Sequence, residues 1–526
     1  MKRGVILMLL GGCATVPGPS DLEQSLRRHI KVLSSDEFEG RFPGTRGEEK
    51  TVEYLVEQFK SMGLSPGNHH DGSFIQKVPL VGITPTSASL ALNGTELRRG
   101  EDYVAFTKRE VAESSVAADC VFVGYGVVAP EYDWDDYKGI DVKGKTVVML
   151  INDPPSEALF GGVAMTYYGR WTYKYEVAAA RGAAACLIVH EDGPAGYPWG
   201  TVRSSWSGEK LETASDSRGM KRVAIEGWIT RGTAVKALAA AGFDFEQLKA
   251  SAGTKEFKPV PLGIQAVARV TTSIRTLESR NVVARAGSAE EHIIFTAHWD
   301  HLGIREPVNG DAIYNGAVDN ASGTAMLLEL ARRFAAAPAK RTALFIAVTA
   351  EEQGLLGSKY YSEHPLYPLK LAVAAINMDG ANVNGRTRDV TIVGFGNSDL
   401  DEHVKAAAAE QGRRVQGDRS PEKGFFFRSD QFSFAKVGVP ALFAGSGSDF
   451  VGRPDGWGAE QGEKYTKNDY HRPSDDYRES WDLSGAIEDI DLLERVARRV
   501  AEQARYPEWA EKSEFRATRE KSLRSK

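Results

Sequence analysis

Beyond residue 281 the chain alternates between two patterns of apolar residues. Runs that are apolar at nearly every position, "HIIFTAH", "TALFIAVTA", "LAVAAINMD" and "VTIVGFG", are interleaved with "ASGTAMLLELARRFAAA", "SKYYSEH" and "LDEHVKAAAAEQG", where apolar residues keep helical spacing. A strand that is apolar on both sides has to be covered on both sides. The pattern therefore predicts an α/β domain, a mixed and mostly parallel sheet flanked by helices.

The first half reads differently. In "EEKTVEYLVEQFKSM", Val52, Leu55, Val56, Phe59 and Met62 lie on one helical face and Gly63 ends the run, which predicts one amphipathic helix. Residues from about 75 to 270 hold short β-branched runs broken by Gly, Pro and Asn, with few helical stretches such as "YEVAAARGAAA". The expected division is a leader over 1–20, a first part of the catalytic domain over 21–110, and a β-rich insert over 111–270. The main catalytic domain follows over 271–507, and 508–526 is a charged tail expected to be solvated and without fixed structure.

Composition narrows the function. With 526 residues, 42% of them hydrophobic, the chain can bury a large core. Its 65 basic and 71 acidic residues leave a net charge of -6, which supplies no electrostatic footprint for nucleic acid and favours a small substrate or a peptide. The opening "MKRGVILMLLGGCATVPGPS" has Lys2 and Arg3 ahead of an apolar run, Val5 to Leu10, that is too short to span a bilayer and reads as a secretory signal. "LGGC" resembles a bacterial lipobox. That resemblance implies a lipidated Cys13 and an exported protein, periplasmic or attached to the outer membrane. Cys120 and Cys186 sit in apolar runs and read as buried thiols, with pairing left open.

The residues that follow the apolar runs carry the candidate chemistry, because ligands of open α/β sheets bind beyond the carboxyl ends of the strands. His298 and Asp300 follow the first run, Glu351 and Glu352 the second, and Asp379 the third; Asp319 precedes a helix, and Tyr470 and His471 lie in "NDYHRPSDD". Taken singly, Asp319 reads equally as a helix cap and the glutamates as a solvated strand end. Converging at one sheet edge, so many carboxylates would destabilise the fold unless a cation held them, and imidazole mixed with carboxylate suits zinc.

"AHWDHLG", "GAVDNASG", "TAEEQGLLGS", "NMDG" and "YHRPSD", in this order, resemble the signature blocks of the co-catalytic di-zinc exopeptidases, the family of bacterial aminopeptidases and glutamate carboxypeptidases. "LSSDEFEGRFPGTRGEEKTVEYLVEQFKSMGL" is similar to that family's leading segment. "VFVGYGVVAPEYDWDDYKGIDVKGKTVVML" with "AAARGAAACLIVHE" resembles the protease-associated domain inserted into many members.

The resemblance implies two zinc ions per chain, one held by His298 and Asp379, the other by Glu352 and His471, with Asp319 bridging. It further implies that Asp300 hydrogen-bonds the His298 ring, that Glu351 is general base toward a zinc-activated water, and that Tyr470 stabilises the oxyanion. The implied reaction is hydrolysis at a peptide's end, with aminopeptidase activity favoured because a free amine can meet the carboxylates of the site. The alternatives are a glutamate carboxypeptidase-like hydrolase, with Arg428 a candidate to hold a carboxylate, a receptor-like ectodomain without catalysis, and a di-metal phosphoesterase. The complete ligand set argues against the receptor.

Overall fold

The computed structural model describes residues 21–156 and 159–524; the leader, with Cys13, lies outside the described residues. The chain opens with helices α1 (Asp21–Leu33) and α2 (Arg46–Ser61), and α2 buries Val52, Leu55 and Phe59 as its spacing predicts. Two long strands follow, β1 (Ile75–Leu92) and, far along the chain, β2 (Val260–Ala286). Then come β3 (His292–His298), α3 (Gly323–Ala336), β4 (Thr342–Val348), β5 (Ala372–Asn377), β6 (Asp389–Val393) and α4 (Leu400–Glu410). β7 (Arg414–Gly417), β8 (Ala441–Ser446), α5 (Ser484–Glu502) and α6 (Arg516–Arg524) complete the set.

In the second half of the chain the sheet runs β7-β6-β8-β5-β3-β4-β2. β3 pairs parallel with both β4 and β5, β5 pairs parallel with β8, and antiparallel pairs enter at β6–β8 and at β2–β4. The mixed, mostly parallel sheet flanked by helices is thus the architecture the apolar runs predict. Every residue of β3, β4 and β5 is buried. On one face Phe295 and Phe345 pack with Leu327 and Phe334 of α3 and Val496 of α5; on the other, Ile294 and Ile346 pack with Tyr361 and Phe434. Three parallel strands therefore end together at one edge, and the helices leave that edge open.

The inserted lobe begins earlier than residue 111. β1 pairs antiparallel with β2 along its whole length, and the register slips at Thr271/Thr272, opposite Pro85 to Ser87. Past that slip, Leu90, Leu92 and Tyr103 belong to the core of the lobe, together with Val116, Leu187 and Ile225. One strand runs through both lobes, so no turn signal marks the boundary in the sequence. Cys120 and Cys186 are buried and unpaired within this lobe.

The charged tail also departs from expectation. It folds into α6, preceded by Trp509 and Phe515, both nearly fully buried with ring centroids 5.0 Å apart. Arg519 donates to the Ala372 and Leu369 carbonyls, at 2.8 and 3.2 Å. Two aromatic anchors outweigh the polar majority because each buries a large apolar surface. Phe515→Ala should therefore cost about 3–5 kcal/mol in denaturant unfolding, where a solvated appendage would change stability by no more than about 0.5 kcal/mol.

Candidate metal centre

His298 is the last residue of β3, Glu351 and Glu352 follow β4, and Asp379 follows β5. In the β3–β4 register His298 lies opposite Val348, so the strand ends deliver these side chains to one place. Asp319 enters from the loop ahead of α3, and His471 from the segment after helix Trp457–Asn468. Ala350 and His471 hold φ values of 54° and 57°, a left-handed region that non-glycine residues seldom occupy and that costs about 1–3 kcal/mol where packing enforces it.

The distances form a chain across the site. His298 Nε2 is 3.3 Å from Asp379 Oδ1 and 3.3 Å from Asp319 Oδ1. His471 Nε2 is 3.2 Å from the other Asp319 oxygen, Oδ2, and 3.1 Å from Glu352 Oε2. Donors bound to one zinc at about 2.0–2.1 Å in tetrahedral geometry stand about 3.3 Å apart. Both donor pairs match that spacing, and Asp319 turns one oxygen to each. The five residues predicted as metal ligands are thereby brought together.

Further polar groups fix the loops that carry them. The Asp300 carboxylate accepts the backbone N–H of Glu351 at 3.0 Å and of Glu352 at 3.3 Å, and it stands 3.7 Å from His298 Nδ1. The ring instead faces the Asp300 backbone carbonyl at 3.1 Å. Asp300 therefore orients the glutamate pair, a role different from the expected bond to the imidazole, because the turn after β4 folds back over it. Asp475 serves the Asp319 loop in the same way, accepting the N–H groups of Val318 and Asp319 at 3.0 and 3.1 Å. Arg41, fully buried, donates to the carbonyls of Trp299, Leu33, Asn315 and Gly316 at 2.6–2.8 Å, and so clamps the His298 loop to the Asp319 loop.

Sequence reasoning missed Arg41, Asp475 and His301, although all three lie inside the quoted blocks "EGRFPGT", "YHRPSD" and "AHWDHLG". His301 belongs with Asp319 and Glu352 to a second group of metal-ligand type, beside the group of His298, Asp319 and Asp379. Its Nδ1 lies 2.7 Å from Glu352 Oε1, closer than two donors on one tetrahedral ion, which makes it a neighbour of Glu352. Gly316 leaves room for this ring: a Cβ there would meet His301 Cδ2 at 2.5 Å.

The electrostatics fit a bound cation. Burial pushes Glu351 well above the usual carboxylate range, reinforced by Asp379 and Glu352, and lifts Asp300 to about 8. Burial opposes the charge on Glu352 as well, yet His471 and His301 hold it down at about 2, while the carboxylates raise His471 to about 10. His471 Nε2 and Glu352 Oε1 are buried in close contact with the other imidazoles and carboxylates of the cluster, and Nε2 of His301 is buried without a hydrogen-bond partner, a donor set that fits a cation. Tyr470 stacks on His471 with ring centroids 3.8 Å apart and stays 44% exposed, within reach of a ligand.

Residues 281–493 match the model of Peptidase family M28. A probable zinc metalloprotease of Pyrenophora tritici-repentis (strain Pt-1C-BFP) is 40% identical over 86 residues, 16% of this chain and 18% of that protein. Aminopeptidase YwaD of Bacillus subtilis (strain 168) is 40% identical over 72 residues, 14% of each. A glutamate carboxypeptidase 2 homolog of Caenorhabditis elegans is 25% identical over 393 residues, 66% of this chain and 48% of that one. The matched region spans less than half the length of each of these relatives. Among solved structures, the aminopeptidase from Aneurinibacillus sp. strain AM-1 aligns over 93% of this chain and 97% of its own, at 22% identity and a TM-score of 0.48.

The clamp can be tested through the metal. Arg41→Met keeps bulk and removes every donor, so zinc affinity measured by chelator competition should fall about 10–100-fold, with Arg41→Lys intermediate. An unchanged affinity would show that the two loops hold their positions without it.

Proposed function

We propose that the protein is an exported zinc-dependent exopeptidase, an aminopeptidase acting on peptides. The observation that carries this reading is Asp319, whose two oxygens face the His298–Asp379 pair and the His471–Glu352 pair at matching distances. His298 and Asp379 would hold one zinc, His471 and Glu352 the other, and Asp319 both. Bound there, zinc supplies Lewis-acid polarisation of the scissile carbonyl and acidifies water.

The chain's own residues divide the remaining work. Glu351 is half-buried at the site, 4.0 Å from His298 Nε2 through Oε2, and its backbone is pinned by Asp300. It accepts the proton of the attacking water and returns it to the departing amine. Tyr470 directs its hydroxyl to the oxyanion. Asp379 and Glu351 offer negative charge to the free amine of a substrate. The second lobe is read as a protease-associated domain from its resemblance, and it packs against the loop that carries Arg428.

Two substitutions separate the adjacent glutamates. Glu351→Gln should keep both zinc ions and lose about 10²–10⁴-fold in turnover, whereas Glu352→Gln should bind zinc more weakly and regain part of its activity in excess metal. Zinc titration with peptide assays reads both; zinc-depleted Glu351→Gln beside fully loaded Glu352→Gln would reverse the roles. Export rests on residues 1–20, and the lipobox reading expects mass spectrometry to find a mature N-terminus at lipidated Cys13. An unmodified terminus elsewhere removes it.

A further inference from the structure

The loop tied to the metal centre carries a cation, Arg428, that the aminopeptidase chemistry above does not use. Ser429 Oγ donates to Asp379 Oδ2 at 2.5 Å, which ties this loop to a metal ligand, and Arg428 is the residue before it. The inserted lobe packs against the same loop: Met165 N–H donates to the Pro421 carbonyl at 3.0 Å, and the Tyr167 and Phe427 ring centroids are 6.2 Å apart. Arg170, just ahead of the helix Trp171–Ala180, lies three residues beyond Tyr167, and Arg428 directly follows Phe427, so the two arginines flank that contact, and each charge acts on its surroundings there.

Two guanidiniums meeting in a partly buried place ordinarily have carboxylates between them. Here they have none. Neither arginine pairs with a carboxylate among the described residues, and Nε of each is buried without a hydrogen-bond partner. Arg428 is held by the Lys423 carbonyl at 2.7 Å and by the face of Phe425, 5.2 Å from the ring centroid, so its fork is positioned while donors remain unused. Burial, and next the charge of Arg428, lower Arg170 to about 10, and it still carries its charge at neutral pH. The nearby groups acting on Arg428 are the Tyr197 and Tyr470 hydroxyls, and Tyr470 stacks on the metal-ligand candidate His471. Partly buried guanidiniums of like charge with unpaired Nε donors favour an anion, and their planar forks match a carboxylate.

We propose that Arg170 and Arg428 form a carboxylate-binding subsite at the edge of the metal centre, one arginine from each lobe, and that preferred substrates are short peptides with a free carboxylate on the departing portion. This rests on the peptidase reading and specifies its substrate class. It also gives the inserted lobe a direct part in recognition. The carboxylate can come from the peptide's C-terminus or from an acidic side chain.

The test is calorimetric titration of the zinc-loaded Glu351→Gln protein, which is expected to bind without turning over, with Leu-Ala, its C-terminal amide, and Leu-Asp-amide. Leu-Ala should bind about 10–100-fold more tightly than its amide. Arg170→Met and Arg428→Met, made separately on segments from different lobes, should each bring Leu-Ala to within about 3-fold of the amide, and lysine at either position should restore part of the difference. Tight binding of Leu-Asp-amide would identify the side-chain carboxylate as an accepted source, and weak binding would assign the subsite to the chain end. Equal affinities for Leu-Ala and its amide, or a preference that survives both methionine variants, overturn the proposal. Wild-type protein that shows this carboxylate preference in binding but hydrolyses none of the peptides would instead sink the peptidase reading and leave the subsite standing.

Discussion

Asp300, Asp319, Glu351, Glu352 and Asp379 converge where three parallel strands end, and most of their surface is out of contact with solvent. Against them stand His298, His301, His471 and Arg41. Concentrated negative charge in a low-dielectric edge is the constraint around which the rest of the site is arranged, because carboxylates this close cannot all ionise unless cations stand between them. In the protein alone burial pushes Glu351 and Asp300 above the usual carboxylate range, while the carboxylates raise His471 against the effect of its burial. A pair of dications relieves the conflict without those shifts.

The scaffold meets this constraint with fixed backbone dipoles. Asp300 and Asp475 each take two N–H groups from the loop that carries ligands, and Arg41 takes carbonyls from both loops, so no ligand depends on its own strand alone. Asn320 adds a tie from the Asp319 loop to the Met378 carbonyl and the Gly380 N–H, at 3.1 and 2.8 Å, on either side of Asp379. The ligands are held by bonds between loops, and this keeps a charged cluster in one geometry.

Much of this was legible in the sequence, for reasons that can be named. β3, β4 and β5 are apolar at nearly every position, which is the signature of strands covered on both faces, and the polar residues after them could only lie at the open edge. That logic reaches His298, Glu351, Glu352 and Asp379, while the parts of Asp319 and His471 came from the resemblance of their blocks to the di-zinc exopeptidases. It does not reach Arg41, whose bond to Trp299 spans 258 residues of sequence, or the fold of the turn that swings the Asp300 carboxylate to backbone amides. It also placed the lobe boundary too late, because β1 crosses from one lobe to the other without a break, and it read a docked tail as solvated because two aromatic anchors are outnumbered by charges.

The central claim is that Asp319 stands between two metal ions. X-ray diffraction from zinc-grown crystals, recorded on either side of the zinc absorption edge, addresses it most directly. The account predicts two anomalous peaks, one within bonding distance of His298 and Asp379 and one within bonding distance of His471 and Glu352, each touching a different oxygen of Asp319. A single peak, or two peaks of which one leaves Asp319 uncontacted, would contradict it.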